Sequence, residues 1–394
     1  MILAEKHIIK KNDCRFEDLQ NICRFSKNLY NVALYKTRQQ FFEDNKFLTA
    51  FSLDGILRKE QNIDYNALPQ KVSQQTLKMV EQNFKSFFGL LKLKSKDKYD
   101  KKVKLPKYLD KNGYFVTTYT NQAISKIALK EGFIQFSKTN IRIKTAVESV
   151  QQVRIVPKGN HIVIEVLYVV KEKELQESNG KYCSIDLGVN NLSTIGSNVL
   201  KPIIINGKPL KSINQYYNKK LAKLKSELKN EKKTSKRIKS LTTKRNNKVN
   251  DYLHKASRLI VNYLVSNNIS ILVIGKNKEW KQNTSIGKRN NQNFIQIPHT
   301  KFIEMLIYKC KLEGINVIIK EESYTSKCSF LDNEPIKKQK VYLGKRIKRG
   351  LFQTKERRLI NADLNGSLNI LRKVIGEFQY PIEVCSTPLV LTIK

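Results

Sequence analysis

The spacing of apolar positions changes several times along the chain, and each change marks an element. Residues 1–10, ILAEKHIIK after the initial Met, alternate and predict a strand. From 16 to 42 the positions Leu19, Ile22, Ser26, Leu29 and Ala33 recur at threes and fours, the single stripe of an amphipathic helix. Residues 52–62 predict a short helix, and Pro69 breaks the chain. Leu77, Val80, Phe84, Phe87 and Leu91 then make the apolar face of a helix over 73–91, where the aromatics read as core. Between 113 and 170 the period falls to two, in FVTTY, IALKEGFIQF, IRIK, VQQVRIV and HIVIEVLYVV, with Gly and Asn turns between them. These strands predict a small barrel that also takes in residues 1–10, with the helices of 16–91 inserted.

A polar linker, 171–180, leads to a second pattern. In Lys181–Gly196, KYCSIDLGVNNLSTIG, a strand of small and β-branched residues carries Asp186. A turn with Gly188, Asn190 and Asn191 follows, then a second apolar run. This predicts the first hairpin of an RNase H-like sheet. A short strand over 201–210 and two long helices come next. Their stripes are Ile213, Tyr217, Leu221, Leu224 and Leu228, then Ile238, Leu241, Val249, Leu253, Ala256 and Ile260. Residues 270–274 predict a buried strand ending at Gly275, and 283–293 a polar loop. A helix over 299–312 precedes a strand that runs to Glu322, and Asp363 opens a last helix.

Charge narrows the function. The chain holds 74 Lys+Arg against 34 Asp+Glu, a formal net charge of +40. Such an excess opposes compaction and makes sense against a polyanion. A membrane surface is the competing polyanion, but no long apolar span occurs and the run at the start is too short for export. A cytoplasmic, nucleoid-associated, prokaryotic protein is the expectation. The six cysteines are scattered without a CxxC, as buried thiols of a reducing compartment would be. In the basic linker 92–112, Lys104, Lys107 and Tyr108 suit a phosphate backbone with stacking bases. Residues 201–250 carry 16 Lys/Arg against Glu227 and Glu231, so Lys236, Arg237, Lys244 and Arg245 predict a basic wall facing a duplex. Trp280 reads equally as a base stacker or a half-buried anchor, with Lys281 beside it. Arg346 and Arg349, in the basic stretch 336–358, and Arg372 complete the candidate nucleic-acid contacts.

Asp363 lies in NADLNGSLNI, 361–370, with Asn365, Gly366 and Asn369 behind it. Two acids, Asp186 and Asp363, on separate elements of so basic a chain point to a metal-dependent nuclease. An Asp in an ordinary strand and turn is the plain alternative for the first.

SIDLGVNNLST, DYLHKASRLIV, VIGKNKEWKQ, SYTSKCS and NADLNGSLNI, in this order, resemble the TnpB (OrfB) proteins of insertion sequences. LYNVALY, LPQKVSQQTL, FKSFFGLLK and PKY agree in the first half. The resemblance implies a transposon-associated, RNA-guided DNA endonuclease with a guide RNA derived from the transposon end and a double-stranded DNA target, one protein per RNA. The implied fold is α+β multidomain. A wedge-like β-barrel covers 1–14 and 95–175, with a helical recognition insert at 15–94. A RuvC-like domain covers 176–324 and 359–380, with a helical hairpin at 213–268. A ribbon-like segment occupies 325–358 and a tail 381–394.

RuvC-type chemistry implies two Mg²⁺ ions on three or four carboxylates. The first and last map to Asp186 and Asp363. The position of the usual middle glutamate is Gly275, so the resemblance offers two readings. In one, Glu322 from the neighbouring strand substitutes, as in a rearranged-glutamate subgroup; Glu321 falls on the other sheet face and Glu279 on a loop. In the other, the chain is a nuclease-dead guided DNA binder. An accessory, strand-joining transposase is a third class, for which the four histidines are too dispersed. Zinc is not expected: Cys328 pairs with Leu331, and Gln353 and Glu356 stand where the second thiol pair would fall.

Overall fold

A computed structural model of the chain describes all residues except 229–231, 278–286, 381–386 and 394. Two compact units divide at Val170/Lys171.

In the first unit, β1 (Ile2–Lys10) leads into α1 (Phe16–Asp44), α2 (Ala50–Lys59), α3 (Ile63–Ala67) and α4 (Gln70–Lys94). Then follow β2 (Thr117–Thr120), α5 (Lys126–Lys130), β3 (Phe133–Gln135), β4 (Arg142–Lys144), β5 (Gln152–Lys158) and β6 (His161–Val169). β1 pairs antiparallel with β6, so the first strand closes onto the last of this unit across the inserted helices. The sheet order is β1-β6-β5-β2, with β3 and β4 a separate hairpin. The expected barrel is thus an open four-stranded sheet whose edge strands do not pair with each other. One of its expected strands is interrupted by α5. Ser125 caps that turn by accepting from the Ala128 amide at 3.3 Å, which overrides the alternation of IALKEGF. The α1 stripe is buried as spaced. The α4 stripe is buried only to Phe84, beyond which Leu91 is 38% exposed.

The second unit is built on a sheet ordered β11-β10-β7-β8-β9-β15. These strands are β7 (Tyr182–Leu187), β8 (Asn191–Ser197), β9 (Ile203–Asn206), β10 (Ile271–Gly275), β11 (Asn316–Lys320) and β15 (Leu389–Leu391). β7, β8 and β9 form an antiparallel meander, and β10 and β11 add in parallel beside β7. This is the RNase H-like order. β15, from the tail, adds in parallel to β9.

Alternation along β7 divides the two faces. Cys183, Ile185 and Leu187 join a core with α7 (Lys236–Ser266) and α9 (His299–Leu312). α6 (Lys208–Ser226) packs on α7 and begins earlier than its apolar stripe suggested, with Pro209 in its first turn. The polar stretch expected as a loop over 283–293 contains the start of α8 (Lys288–Gln296). Ser184 and Asp186 point to the other face, which α10 (Ala362–Ile375) covers. Before α10, β12 (Lys345–Lys348), β13 (Leu351–Gln353) and β14 (Leu359–Asn361) make a small antiparallel sheet. Phe330, Phe352, Ile360, Leu364 and Leu368 pack it on α10.

Candidate active site

The site forms where α10 crosses β7 and the ends of β10 and β11. Small residues allow the approach. Ser184 Oγ donates to Ser367 O at 2.7 Å, and the Gly196 amide donates to Ser367 Oγ at 3.0 Å. A Cβ on Gly366 would stand 2.9 Å from Asp186 Oδ2, so glycine is what lets the helix reach the acid. Asn361 caps α10 by accepting from the Asp363 and Leu364 amides at 3.0 and 3.1 Å. The cap places Asp363 in the first turn, on the Asp186 side of the helix.

Asp186 is half-buried and neighbours both other acids. Burial, then the charges of Glu322 and Asp363, push its carboxyl well above the ordinary range, against a smaller opposing pull from Arg346. Glu322 lies two residues past β11. Its carboxyl is pushed up to about 7 by burial, with Lys373 opposing. Lys373 Nζ donates to the Glu321 and Ser323 carbonyls at 3.0 and 2.8 Å and so fixes the backbone on both sides of Glu322. Asn277, two residues past β10, holds Glu322. Its Oδ1 accepts from the Glu322 amide at 3.1 Å, and its Nδ2 donates to Oε1 at 3.3 Å. The other carboxylate oxygen, Oε2, is buried and accepts no hydrogen bond among the described residues. Glu321, by contrast, is exposed.

Gly275 pairs with Lys320 in the parallel register. A Cβ there would meet Ile370 Cδ1 at 2.4 Å and Glu322 Oε2 at 2.9 Å. The space of a side chain at 275 is thus filled by Ile370 and by the Glu322 carboxylate. Asp363 has two partners: Arg346 donates to Oδ1 at 3.1 Å, and Asn191 Nδ2 donates to Oδ2 at 2.7 Å. No three acidic, His or Cys side chains among the described residues lie close enough to enclose one ion. The donors themselves are all hard carboxylate oxygens, and one is buried without a partner, which fits a cation such as Mg²⁺.

The other candidate contacts divide into exposed and structural. Lys104, Lys107 and Tyr108 are exposed in the first unit, and the Arg38 guanidinium lies 5.0 Å from the centre of the Tyr108 ring. Lys236, Arg237 and Lys244 are exposed on α7, and Arg349 at the β12–β13 turn. Arg346 is exposed but engaged with Asp363. Arg245 is structural: it donates to Asn214 Oδ1 at 2.8 Å and to Gln296 O at 2.7 Å, tying α6, α7 and α8 together. Arg372 is also structural. It is 8% exposed, donates to Glu334 O and lies over Phe330, because its position on α10 faces the ribbon segment rather than the sheet end. Trp280, Lys281 and Glu279 lie outside the described residues.

The segment 325–358 is stapled by polar side chains as well as by its aromatics. The Glu334 carboxylate accepts from the Ser329 amide at 2.7 Å and the Leu343 amide at 3.0 Å. Asn365 and Asn369, both buried on α10, donate to Cys328 O at 2.9 and 2.8 Å. Cys328 is a packed thiol that faces the Pro335 and Lys337 carbonyls. Asn277 and Glu334 carry no sequence signal beyond their polarity, and Asn191 reads only as a turn residue. The partners of Asn277 and Asn191 come from distant parts of the chain, whereas those of Glu334 lie within its own segment.

The OrfB_IS605 family model, described as a probable transposase, matches residues 165–281. A Cas12f1-like TNB domain model matches 299–370. The TnpB-like protein ORF457 of Acidianus two-tailed virus is 24% identical over 412 residues, covering 91% of this chain and 83% of that protein. Among solved structures, Cas12f1 in a complex with sgRNA and target DNA superposes with a TM-score of 0.55 at 15% identity, over 90% of this chain and 82% of that one. No helix among the described residues is long and apolar enough to cross a membrane.

Proposed function

We propose, from the chain's similarity to TnpB (OrfB) proteins, that it is an RNA-guided DNA endonuclease of the RuvC type in which Glu322 stands in for the missing middle glutamate. The observation that carries this reading is the Glu322 carboxylate itself. It lies over Gly275, beside Asp186, with one buried oxygen that accepts nothing among the described residues. A merely structural glutamate would be expected to have both oxygens satisfied.

Two Mg²⁺ ions bound by Asp186, Glu322 and Asp363 would supply an activated water and stabilise the leaving oxygen of a phosphodiester. The chain's own residues prepare the site. Asp186 is held on a strand inside a two-sided core, so its position is rigid. Asn277 and Lys373 fix the Glu322 backbone and turn one carboxylate oxygen inward. Asn191 orients Asp363 from the start of β8. Arg346, on a strand of the ribbon segment, would exchange Asp363 for a phosphate of the DNA strand being cut. The exposed cations of α7 and of the β12–β13 turn would bind guide RNA and target DNA through their backbones.

The test is plasmid cleavage by protein purified with its own RNA, in Mg²⁺ and in EDTA. Chelation is expected to stop cutting while RNA-directed DNA binding persists. Cutting that survives EDTA would contradict the metal reading.

A further inference from the structure

A second site lies away from the carboxylates, in the helical hairpin. α6 and α7 leave a groove of about 610 Å³ between them. Helical spacing builds its walls. Arg237, Leu241, Lys244 and Lys248 follow one another at four, three and four residues on one face of α7, and Ile213, Tyr216 and Tyr217 line the facing side of α6. No acid lines the groove. Its floor is apolar, from Ile213 and Leu241. Its volume falls within the range of sites that hold one small-molecule-sized group.

The two tyrosines differ. Tyr217 is fixed: its hydroxyl is 3.2 Å from Thr242 Oγ1, and the structural guanidinium of Arg245 lies 5.7 Å from its ring centre. Tyr216 stands at the rim, 61% exposed, with the Lys220 ammonium 5.9 Å from its ring centre. Arg237, Lys244 and Lys248 are exposed and form no ion pair with any described residue. An exposed aromatic face, an apolar floor and free cations match the parts of a nucleotide: a flat base, a sugar and a phosphate. A duplex backbone would use the cations but leave the ring and the floor empty.

We propose that this groove binds one unstacked nucleotide of a single strand, with the base on Tyr216 and the phosphates at Lys244 and Lys248. The proposal rests on the nucleic-acid reading above and adds a site that the cleavage chemistry does not use. The base is bound by stacking, so its identity matters little, and RNA and DNA are told apart by the two probes below.

The experiment uses the full chain and two single-stranded probes, an oligo(U) RNA and an oligo(dT) DNA, each with one 5-iodouracil for photocrosslinking. The expected crosslink on at least one probe maps to the peptide carrying Tyr216. Tyr216→Leu is expected to weaken binding of that probe by roughly tenfold, Tyr216→Phe to retain it, and a duplex of equal length to bind both variants alike. An unchanged melting temperature shows that Tyr216→Leu is folded. If the probes bind but Tyr216→Leu binds equally and crosslinks map elsewhere, the groove assignment is overturned and the nuclease reading stands. If neither probe binds the wild type, both fall.

Discussion

Glu322 Oε2 lies 2.9 Å from the point where a Cβ on Gly275 would stand. One residue's missing side chain and the other's inward carboxylate occupy the same volume. The two positions are therefore coupled, and a change at one is felt at the other.

Gly275→Ala tests the coupling at its simplest. The added methyl meets Ile370 Cδ1 as well as the carboxylate, in a packed layer that cannot yield freely. A loss of about 1–3 kcal/mol in stability is expected, with cleavage reduced further than stability alone explains. Chemical denaturation and single-turnover cleavage measure the two parts. A fully active, fully stable variant would break the link between 275 and 322.

The raised carboxyl of Glu322 gives stability a pH dependence. Its pKa is about 7 in the folded protein, above its ordinary value of 4.5, so the folded state holds a proton that the unfolded state has lost between those values. Stability of the metal-free protein should fall as pH rises through this window, by on the order of 2 kcal/mol from pH 5 to pH 8, and Asp186 acts in the same direction. Glu322→Gln should flatten the slope and leave the metal-free protein more stable than wild type at pH 8. Urea melts in EDTA at the two pH values check the sign.

Asn277 is a positioning residue for Glu322. Asn277→Ala removes both hydrogen bonds and should lower the cleavage rate by about 10–100-fold while DNA binding is unchanged. Raising the Mg²⁺ concentration should restore part of the loss. A variant that also loses its nucleic acid would assign Asn277 to general stability instead.

Arg346 holds Asp363 in an ion pair and would compete with a cation bound there. Arg346→Ala removes that competitor, so Mn²⁺ should bind the nucleic-acid-free protein several-fold more tightly, as calorimetry would report. Cleavage should nonetheless fall, because the phosphate partner is gone. Weaker Mn²⁺ binding in the variant would mean that Arg346 supports the site through structure.

The sequence made some of this legible and hid the rest for identifiable reasons. The α1 stripe, β1, β5, β6 and the β7–β8 hairpin follow from local periodicity, which packing left intact. The α5 turn did not, since one Ser cap outweighs a run of alternating apolar residues. β15 is three residues that gain meaning only beside β9. In the site, Asp186, Asp363 and the Glu322 alternation could be read from short stretches. The destinations of Arg245 and Arg372 could not, because whether a guanidinium faces solvent or a carbonyl is decided by neighbours far away in the chain. The same holds for Asn277 and Asn191.

The most direct test of the central claim is plasmid cleavage in Mg²⁺ by RNA-copurified wild type, Glu322→Ala and Asp186→Ala, across a randomised flanking library. The account predicts that wild type cuts beside one flanking motif and that both variants bind the same targets without cutting. Glu322→Ala cutting like wild type, or a wild type that binds its targets and never cuts, would contradict it.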